Sequence, residues 1–150
     1  MQNLTRRDVL TAAAVTAAGL ALWPSMASAE AKDAMALLEK FTGGKAAAEG
    51  KVSLTMPEIA ENGNTVPLSI AVDSPMTADN YVKQVVIVSE GNPRPEVATF
   101  HFSPKSGVAE ASTRMRLAKT QNVVAVAEMS DGSFHMIKRQ VKVTIGGCGG

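Results

Sequence analysis

The sequence contains one cysteine, one tryptophan and one tyrosine among its 150 residues, and its aromatic content is only 4%. Because the lone cysteine has no second thiol in the chain, an internal disulfide is excluded and any sulfur–sulfur bond must involve another molecule. The sequence also has no large excess of positive or negative charge, since it contains 15 basic and 14 acidic side chains. A nearly neutral chain has no strong attraction for phosphates, so we expect neither nucleic acid nor an anionic membrane surface as a partner.

Residues that could hold a metal ion or perform catalysis are scarce. The two histidines, His101 and His135, lie on separate predicted strands and do not make a zinc site by themselves. A blue-copper site needs a histidine and a methionine after its cysteine, whereas only two glycines follow Cys148. We find no serine–histidine–aspartate spacing, phosphate-binding loop or defensible pair of carboxylates. The sequence therefore predicts no metal site and no catalytic residues.

Residues 1–29 have the pattern of an export signal. Two arginines near the start precede an apolar run, and an Ala-Ser-Ala sequence ending at Ala29 predicts cleavage before Glu30. The apolar run is too short to span a membrane and no other long one follows, so we expect a soluble mature protein. Residues 5–10 resemble a twin-arginine signal, although Val9 replaces the commoner phenylalanine. The alternative is an ordinary signal for unfolded export that carries two arginines.

The remaining residues, 30–145, are enough for one domain with a hydrophobic core. Helical spacing of apolar residues predicts a helix over residues 31–41, and two glycines directly after it favour its end there. A weaker helical pattern covers residues 45–49. Seven stretches that favour strands then follow, most with apolar residues at every second position, separated by turn sequences. These predicted strands are residues 52–56, 66–72, 81–90, 97–102, 108–117, 122–129 and 134–145.

About seven short strands at regular intervals are typical of a β-sandwich. We therefore predict an all-β, immunoglobulin-like antiparallel sandwich with a short N-terminal helix. The continuous apolar run in residues 81–90 predicts a strand buried on both faces, and residues 130–133 predict a hairpin turn. Pro67 predicts an unpaired strand edge, and broken alternation between Met136 and Val141 predicts a β-bulge.

The single cysteine lies in a glycine-rich segment that closes the sequence: Gly146, Gly147, Cys148, Gly149 and Gly150. Glycine has no side chain and a wide choice of backbone angles, so this segment is predicted to be a thin, flexible arm. Thiolates are nucleophiles and also form bonds to other sulfur atoms. A cysteine among four glycines has no packing neighbours to bury it. We therefore expect a reactive thiol that enters the cleft of another protein.

Residues 141–150, Val-Lys-Val-Thr-Ile-Gly-Gly-Cys-Gly-Gly, resemble the C-terminal segment of the SoxY family, the sulfur-carrier subunits of the periplasmic Sox system for thiosulfate oxidation. Residues 57–67 and 73–77 resemble the same family. Together with the signal, the resemblance covers essentially the whole chain. Within the arm there is no departure from the family pattern.

The resemblance implies that Cys148 is the covalent attachment point for thiosulfate and then for sulfane sulfur, with no other cofactor. It implies a carrier rather than an enzyme, located in the periplasm. The implied partners are a SoxZ-like subunit in a heterodimer, a haem-containing Sox cytochrome, a sulfate-releasing hydrolase and a sulfane dehydrogenase.

Two alternatives remain open at the level of the sequence. A diglycine end also occurs in ubiquitin-like sulfur carriers, which use the terminal carboxylate, here that of Gly150, and have a β-grasp fold. The other alternative is a structural periplasmic sandwich whose cysteine forms an intermolecular disulfide.

Overall fold

The structure is a computed structural model, and it describes residues 26–146. The one α-helix in this part of the chain, α1, covers Met26–Thr42 and is followed by nine strands. A single turn of 3₁₀-helix at Pro104–Ser106 precedes the seventh strand. The strands are β1 (Ala47–Glu49), β2 (Val52–Thr55), β3 (Ile59–Ala60), β4 (Val66–Val72), β5 (Val82–Ser89), β6 (Glu96–His101), β7 (Ala109–Met115), β8 (Gln121–Met129) and β9 (Phe134–Val143).

The strands form two sheets that pack face to face. The larger sheet has the order β1-β9-β8-β5-β6, and the short strand β3 also pairs with β9. The smaller sheet has the order β2-β4-β7. Pairing is antiparallel except for β1 and β3, which run parallel to the two ends of β9. This is the predicted antiparallel sandwich, with two short strands added at one edge.

The large sheet is covered on both faces, because α1 packs on the side that does not face the small sheet. Ala34 and Leu38 of the helix contact the alternate valines of β5 and β8. The ring of Phe41 packs edge-on against the ring of Phe134, with 5.6 Å between the ring centroids. The opposite face contributes Val85 and Ile87 to the core between the sheets. Strand β5 is thus buried on both faces, as its continuous apolar run predicts.

All seven predicted strands are present, with ends within two residues of those expected. The helix begins earlier than predicted but ends beside the expected glycines, Gly43 and Gly44, which adopt φ of 64° and 78°. The hairpin between β8 and β9 is also confirmed. Asp131 accepts hydrogen bonds from the backbone and side chain of Ser133, and the Gly132 N–H donates to Met129.

Two local predictions are wrong. Residues 45–49 do not form a helix, because residues 47–49 pair with β9 instead. The β8–β9 register is continuous from Gln121↔Val141 to Glu128↔Phe134, so β9 has no bulge against β8. The alternation of apolar residues in β9 breaks because the helix covers the first half of the strand and the small sheet covers the second half. Phe134 and Met136 pack under the helix, whereas Ile137 and Val141, of opposite parity, pack against the small sheet.

The prediction of an edge position for Pro67 needs a correction. Strand β4 is the central strand of the small sheet, not an edge. Its pairing with β2 runs only as far as Thr55↔Ser69, however, so Pro67 has a strand neighbour on the β7 side alone. Proline has no backbone N–H to donate, and Pro67 therefore lies where β4 has no hydrogen bonds to β2.

Candidate functional site

Of the residues predicted to function, Cys148, Gly147, Gly149 and Gly150 lie outside the described residues, and Gly146 is the last one described. The candidate site can therefore be built from the surface from which the arm departs. We call this surface the arm root; it consists of residues 143–146 with the two loops beside them, residues 58–63 and residues 117–120.

Each residue that leads out of β9 is held by a hydrogen bond to one of these loops. The Val143 N–H donates to Thr120 Oγ1 over 2.9 Å, and the Thr144 N–H donates to the Ala60 carbonyl over 3.1 Å. The carbonyl of Ile145 accepts a 2.8 Å bond from the N–H of Gly63. The backbone is thus fixed on both sides as far as Ile145.

Gly63 connects the two loops of the arm root. Besides donating to Ile145, this buried glycine accepts a 2.8 Å hydrogen bond from the N–H of Leu117, whose side chain is fully buried. The Thr144 hydroxyl adds a 3.1 Å bond to the carbonyl of Glu61. Residues from three distant parts of the sequence therefore form one hydrogen-bonded unit.

Gly146 lies in contact with the folded domain. A Cβ added to it would lie much closer to the Ala118 carbonyl oxygen than van der Waals contact between the two atoms allows, and 3.3 Å from the carbonyl carbon. Neither atom is at the end of a flexible side chain, so only glycine fits here without a backbone shift. The first residue of the predicted arm therefore contacts the loop, although Gly146 is exposed to solvent and Ile145 beside it is 68% exposed.

The loop that carries Ala118 is itself held by Asn92. The Asn92 amide donates to the carbonyl of Arg116 over 2.7 Å and accepts from the N–H of Ala118 over 3.0 Å. Asn92 Oδ1 also accepts a 2.8 Å bond from the buried side chain of Gln121, whose own oxygen accepts from the N–H of Gly91. Sequence reasoning missed these residues, since an asparagine after glycine and before proline looks like an ordinary turn residue.

The predicted cleavage point lies within α1, where Ala29 is exposed and Glu30 is half-buried. The carboxylate of Glu30 forms an ion pair with Lys119 of the arm root. The structure does not show cleavage, and residues 1–25 of the predicted signal lie outside the described residues.

The two histidines do not share a site. His101 belongs to the edge strand β6 and His135 to β9, and β5 and β8 lie between them. The two histidines are therefore separated by three interstrand spacings, a distance of roughly 14 Å. Among residues 26–146, no group of three or more His, Cys, Asp or Glu side chains is placed to bind a metal ion. Within the same residues, no helix is long and apolar enough to cross a membrane.

The shifted pKa values belong to groups at the far end of β8 and β9. Partial burial raises the pKa of Glu128, but hydrogen bonds from Gln84 and Lys83 and the charge of Lys83 outweigh it, so the net pKa lies below 4.5. The hydrogen bond and charge of Glu128 in turn raise the pKa of Lys83. Hydrogen bonds from Ser133 lower the pKa of Asp131. These pairs hold the hairpin end of the sheet, away from the arm root.

Comparison with known proteins agrees with the fold and with the sequence of the arm root. Superoxide reductase (neelaredoxin) from Ignicoccus hospitalis superposes with a TM-score of 0.56 at 15% identity, over 63% of this chain and 80% of that chain. A putative superoxide reductase from Thermotoga maritima gives 0.53 at 15% identity, over 69% and 89%. At such identities the likeness shows the sandwich fold alone. Comparison with the curated proteins gives no match.

A further solved structure is more similar to this chain. The sulfur carrier protein SoxY from Chlorobium limicola f thiosulfatophilum is 30% identical and superposes with a TM-score of 0.66, over 80% of this chain and 100% of that chain. The family model of the sulfur oxidation protein SoxY matches residues 38–148, which include the whole sandwich, the arm root and Cys148. The chain therefore belongs to the SoxY family.

Proposed function

We propose that this protein is a periplasmic sulfur carrier of thiosulfate oxidation that holds its substrate covalently on Cys148. The observation that carries the proposal is the extent of the family match, which continues through the arm root as far as the only cysteine. The hydrogen bonds that fix the chain at Ile145 support it, because they set the position on the domain from which the segment containing Cys148 continues.

The chemistry asked of Cys148 is sulfur–sulfur bond formation. Its thiolate and the terminal sulfur of thiosulfate join to form a cysteine S-thiosulfonate, and two electrons leave to a haem-containing partner enzyme. Water then attacks the sulfonate sulfur in a hydrolase, which releases sulfate and two protons and leaves a persulfide on Cys148. The persulfide sulfur is oxidised further by a sulfane dehydrogenase. This chain supplies the thiol and its placement, and the partners supply the redox and hydrolytic groups.

The partners that we propose are those that the family resemblance implies. We propose that the chain forms a heterodimer with a SoxZ-like subunit and visits the three Sox enzymes in turn. A twin-arginine route exports folded proteins, and it would allow the two subunits to cross the membrane as a folded pair before Ala29 is cleaved from Glu30. The glycines beside Cys148 narrow the arm, so that differently shaped active sites can admit the same thiol.

The structure and the family disfavour the alternatives. A ubiquitin-like carrier has a single β-grasp sheet, whereas this chain forms two packed sheets, so chemistry at the Gly150 carboxylate has no structural support. A purely structural sandwich would need no thiol in a glycine-rich segment. Intermolecular disulfide formation through Cys148 remains a measurable outcome, since it would double the mass.

The test is the intact mass of the protein isolated from cells that oxidise thiosulfate. We expect a fraction to carry a thiosulfonate or extra sulfur atoms that a reductant removes, and we expect Cys148→Ser to carry none and to stop thiosulfate-dependent turnover. A matched control moves the thiol: Ser53→Cys in the Cys148→Ser background places it on the exposed face of β2. That thiol should react with iodoacetamide but should not be loaded. Loading of the Ser53→Cys control, or an unmodified wild-type mass, would contradict the proposal.

A further inference from the structure

We propose that the side of the sandwich formed by β6 and β7 is an interface between two copies of this chain. In this interface β7 pairs antiparallel with β7 of the second copy, about a two-fold axis at Ser112. The interface lies within residues 96–115, all of which the structure describes. It goes beyond the proposed carrier function and does not depend on it.

Strand β7 is a long and regular edge strand. Its seven residues pair with β4 without a break, and among the described residues no strand lies on its other side. It contains no proline or glycine, and its more buried alternate residues are uncharged: Ala109, Ala111, Thr113 and Met115. Such an edge presents a row of unpaired backbone N–H and C=O groups, which favours the addition of another strand.

The other edge strands are protected against strand addition. Strands β1, β2 and β3 have only two to four residues each. Strand β6 has an irregular register with β5 between Ile87 and Val88, and prolines lie on either side of it at Pro93, Pro95 and Pro104. Short strands, bulges and prolines all blunt an edge. Strand β7 is therefore the long edge that lacks these devices.

The exposed face of β7 carries Glu110, Ser112 and Arg114 at alternate positions. Glu110 and Arg114 are roughly 13 Å apart along the strand, so they cannot pair with each other. In the described part of the chain neither side chain forms an ion pair. When a second β7 runs antiparallel with Ser112 opposite Ser112, each Glu110 lies opposite an Arg114 of the other copy. Cross-strand pairs of opposite charge stabilise a sheet, so the edge is complementary to itself.

The axis at Ser112 is also the position that keeps all of β7 in the ladder. Ala109 then lies opposite Met115, and every residue of the strand has a partner. An axis one residue away would leave one end of the strand unpaired and would separate Glu110 from Arg114. Ser112 fits an axis because its side chain is small, and its hydroxyl shares a 2.8 Å hydrogen bond with that of Ser69 on β4.

The large sheet has uncovered apolar side chains on the same side of the sandwich. Strand β2 contacts β9, so β6 and β7 lie together on the opposite side. Phe100 and Phe102 are only half-buried there, and Val108, directly before β7, is 59% exposed. Aromatic side chains are enriched at protein interfaces. A second copy that pairs with β7 would face β6 as well and cover these residues.

The interface is small, because it consists of one pair of strands and a few apolar side chains. We therefore expect association at high protein concentration and dissociation on dilution. The pairing leaves β1, β2 and α1 uncovered. A SoxZ-like subunit bound at one of these surfaces would then give a complex with two copies of each chain.

Sedimentation velocity of the mature chain over a range of concentrations tests the pairing, with a reductant present so that Cys148 forms no disulfide. The mean mass should rise with concentration from that of a monomer towards that of a dimer. Arg114→Glu should abolish the rise, because each Glu110 would then face a second carboxylate. Combining Glu110→Arg with Arg114→Glu should restore it. Lys32→Glu, on the exposed surface of α1, is the matched control and should associate like the wild type.

A short bifunctional thiol reagent tests the register. In the Cys148→Ser background, Ser112→Cys should be cross-linked into dimers, because residues opposite each other on paired strands have Cβ atoms about 5 Å apart. Ser53→Cys, on the exposed face of β2, is the control and should stay uncrosslinked under the same conditions.

Each result decides a part of the proposal. A monomer at every concentration up to millimolar would overturn the interface. Association that survives Arg114→Glu, or that does not return in the double variant, would overturn the pairing of Glu110 with Arg114, as would equal loss of association in Lys32→Glu. Equal cross-linking at positions 53 and 112 would overturn the register. These measurements use protein without bound sulfur, so the carrier function is decided separately by the intact mass.

Discussion

The carboxylate of Glu30 pairs with the ammonium of Lys119, the residue that follows Ala118 in the loop beside the arm. This contact joins the first described helix to the arm root across 89 residues of sequence. The Lys119 side chain is 44% exposed, so the pair contributes only about 0.5 kcal/mol to stability. Its importance is geometric, because it places the predicted start of the mature chain and the exit of the arm at the same end of the sandwich.

The mature protein is expected to begin at Glu30. Cleavage after Ala29 removes the first turn of α1 but keeps Glu30, Ala34 and Leu38, which make the contacts with Lys119 and with the large sheet. The helix should therefore remain packed after processing. N-terminal sequencing of the exported protein measures the start directly. A mature form that keeps the twin arginines would contradict the prediction, and a start after Ala34 would contradict the retention of the helix contacts.

A second prediction concerns pH and Glu128. The pKa of this carboxyl is lowered in the folded protein, so its contribution to stability is present above the unfolded value of 4.5 and is lost as the pH falls through the folded pKa. Glu128→Gln should reduce the free energy of unfolding by about 1 kcal/mol at neutral pH, because hydrogen bonds to a charged acceptor from Gln84 and Lys83 are weakened.

Urea denaturation at neutral pH and at about pH 3 checks this prediction. The difference between wild type and Glu128→Gln should shrink at the lower pH, because the Glu128 carboxylate takes up a proton as the pH falls through its lowered pKa. Glu110→Gln, on the exposed face of β7, is the control and should match the wild type at both values. A difference that persists unchanged in acid would show that shape, and not charge, is what Glu128 contributes.

The sequence predicts the sandwich well where burial alternates strictly. Strand β4 has every second residue buried, and its ends are predicted to the residue. The prediction of a helix over residues 45–49 fails because three alanines favour a helix locally, while tertiary pairing with Phe134, His135 and Met136 stabilises a strand. The prediction of a bulge fails because β9 buries one face in its first half and the opposite face in its second half. This change of face interrupts the alternation of apolar residues in the sequence in the same way as a bulge does.

For the site, the sequence predicts Cys148 as the reactive residue, but it gives no sign of how the chain leading to that residue is held. Cys148 stands out because its type and glycine neighbours are visible in the sequence itself. The contact of Gly146 with Ala118 joins residues far apart in the chain, and alanine carries no signal for it. Glycine at position 146 suggests flexibility, whereas the structure gives it a steric role. Only the fold distinguishes the two.

A third prediction is that the protein purifies as a heterodimer with a cysteine-free subunit. In the described part of the chain, β2, β6 and β7 each have a strand neighbour on one side only. Exposed edges of this kind favour association with another chain. Co-expression with the partner followed by size-exclusion chromatography with light scattering gives the mass of the complex. A stable monomer at low concentration in the presence of the partner would contradict the prediction, and a homodimer would assign the edges to a second copy.

The last prediction separates the reactivity of the thiol from the width of the arm. Replacing both Gly147 and Gly149 by valine keeps Cys148 but adds β-branched side chains that stiffen and widen the segment. Gly146 is left unchanged, so the contact with Ala118 and the Tm should be preserved. Iodoacetamide should modify the thiol at close to the wild-type rate, because a small reagent needs only access to the thiolate. Turnover by the partner enzymes should fall at least tenfold, since each must admit the widened arm into a narrow cleft.

The double alanine variant at the same positions should lie between the wild type and the valine variant. Full turnover with the valine pair would show that the glycines are not needed for entry, and that the carrier depends on the cysteine alone.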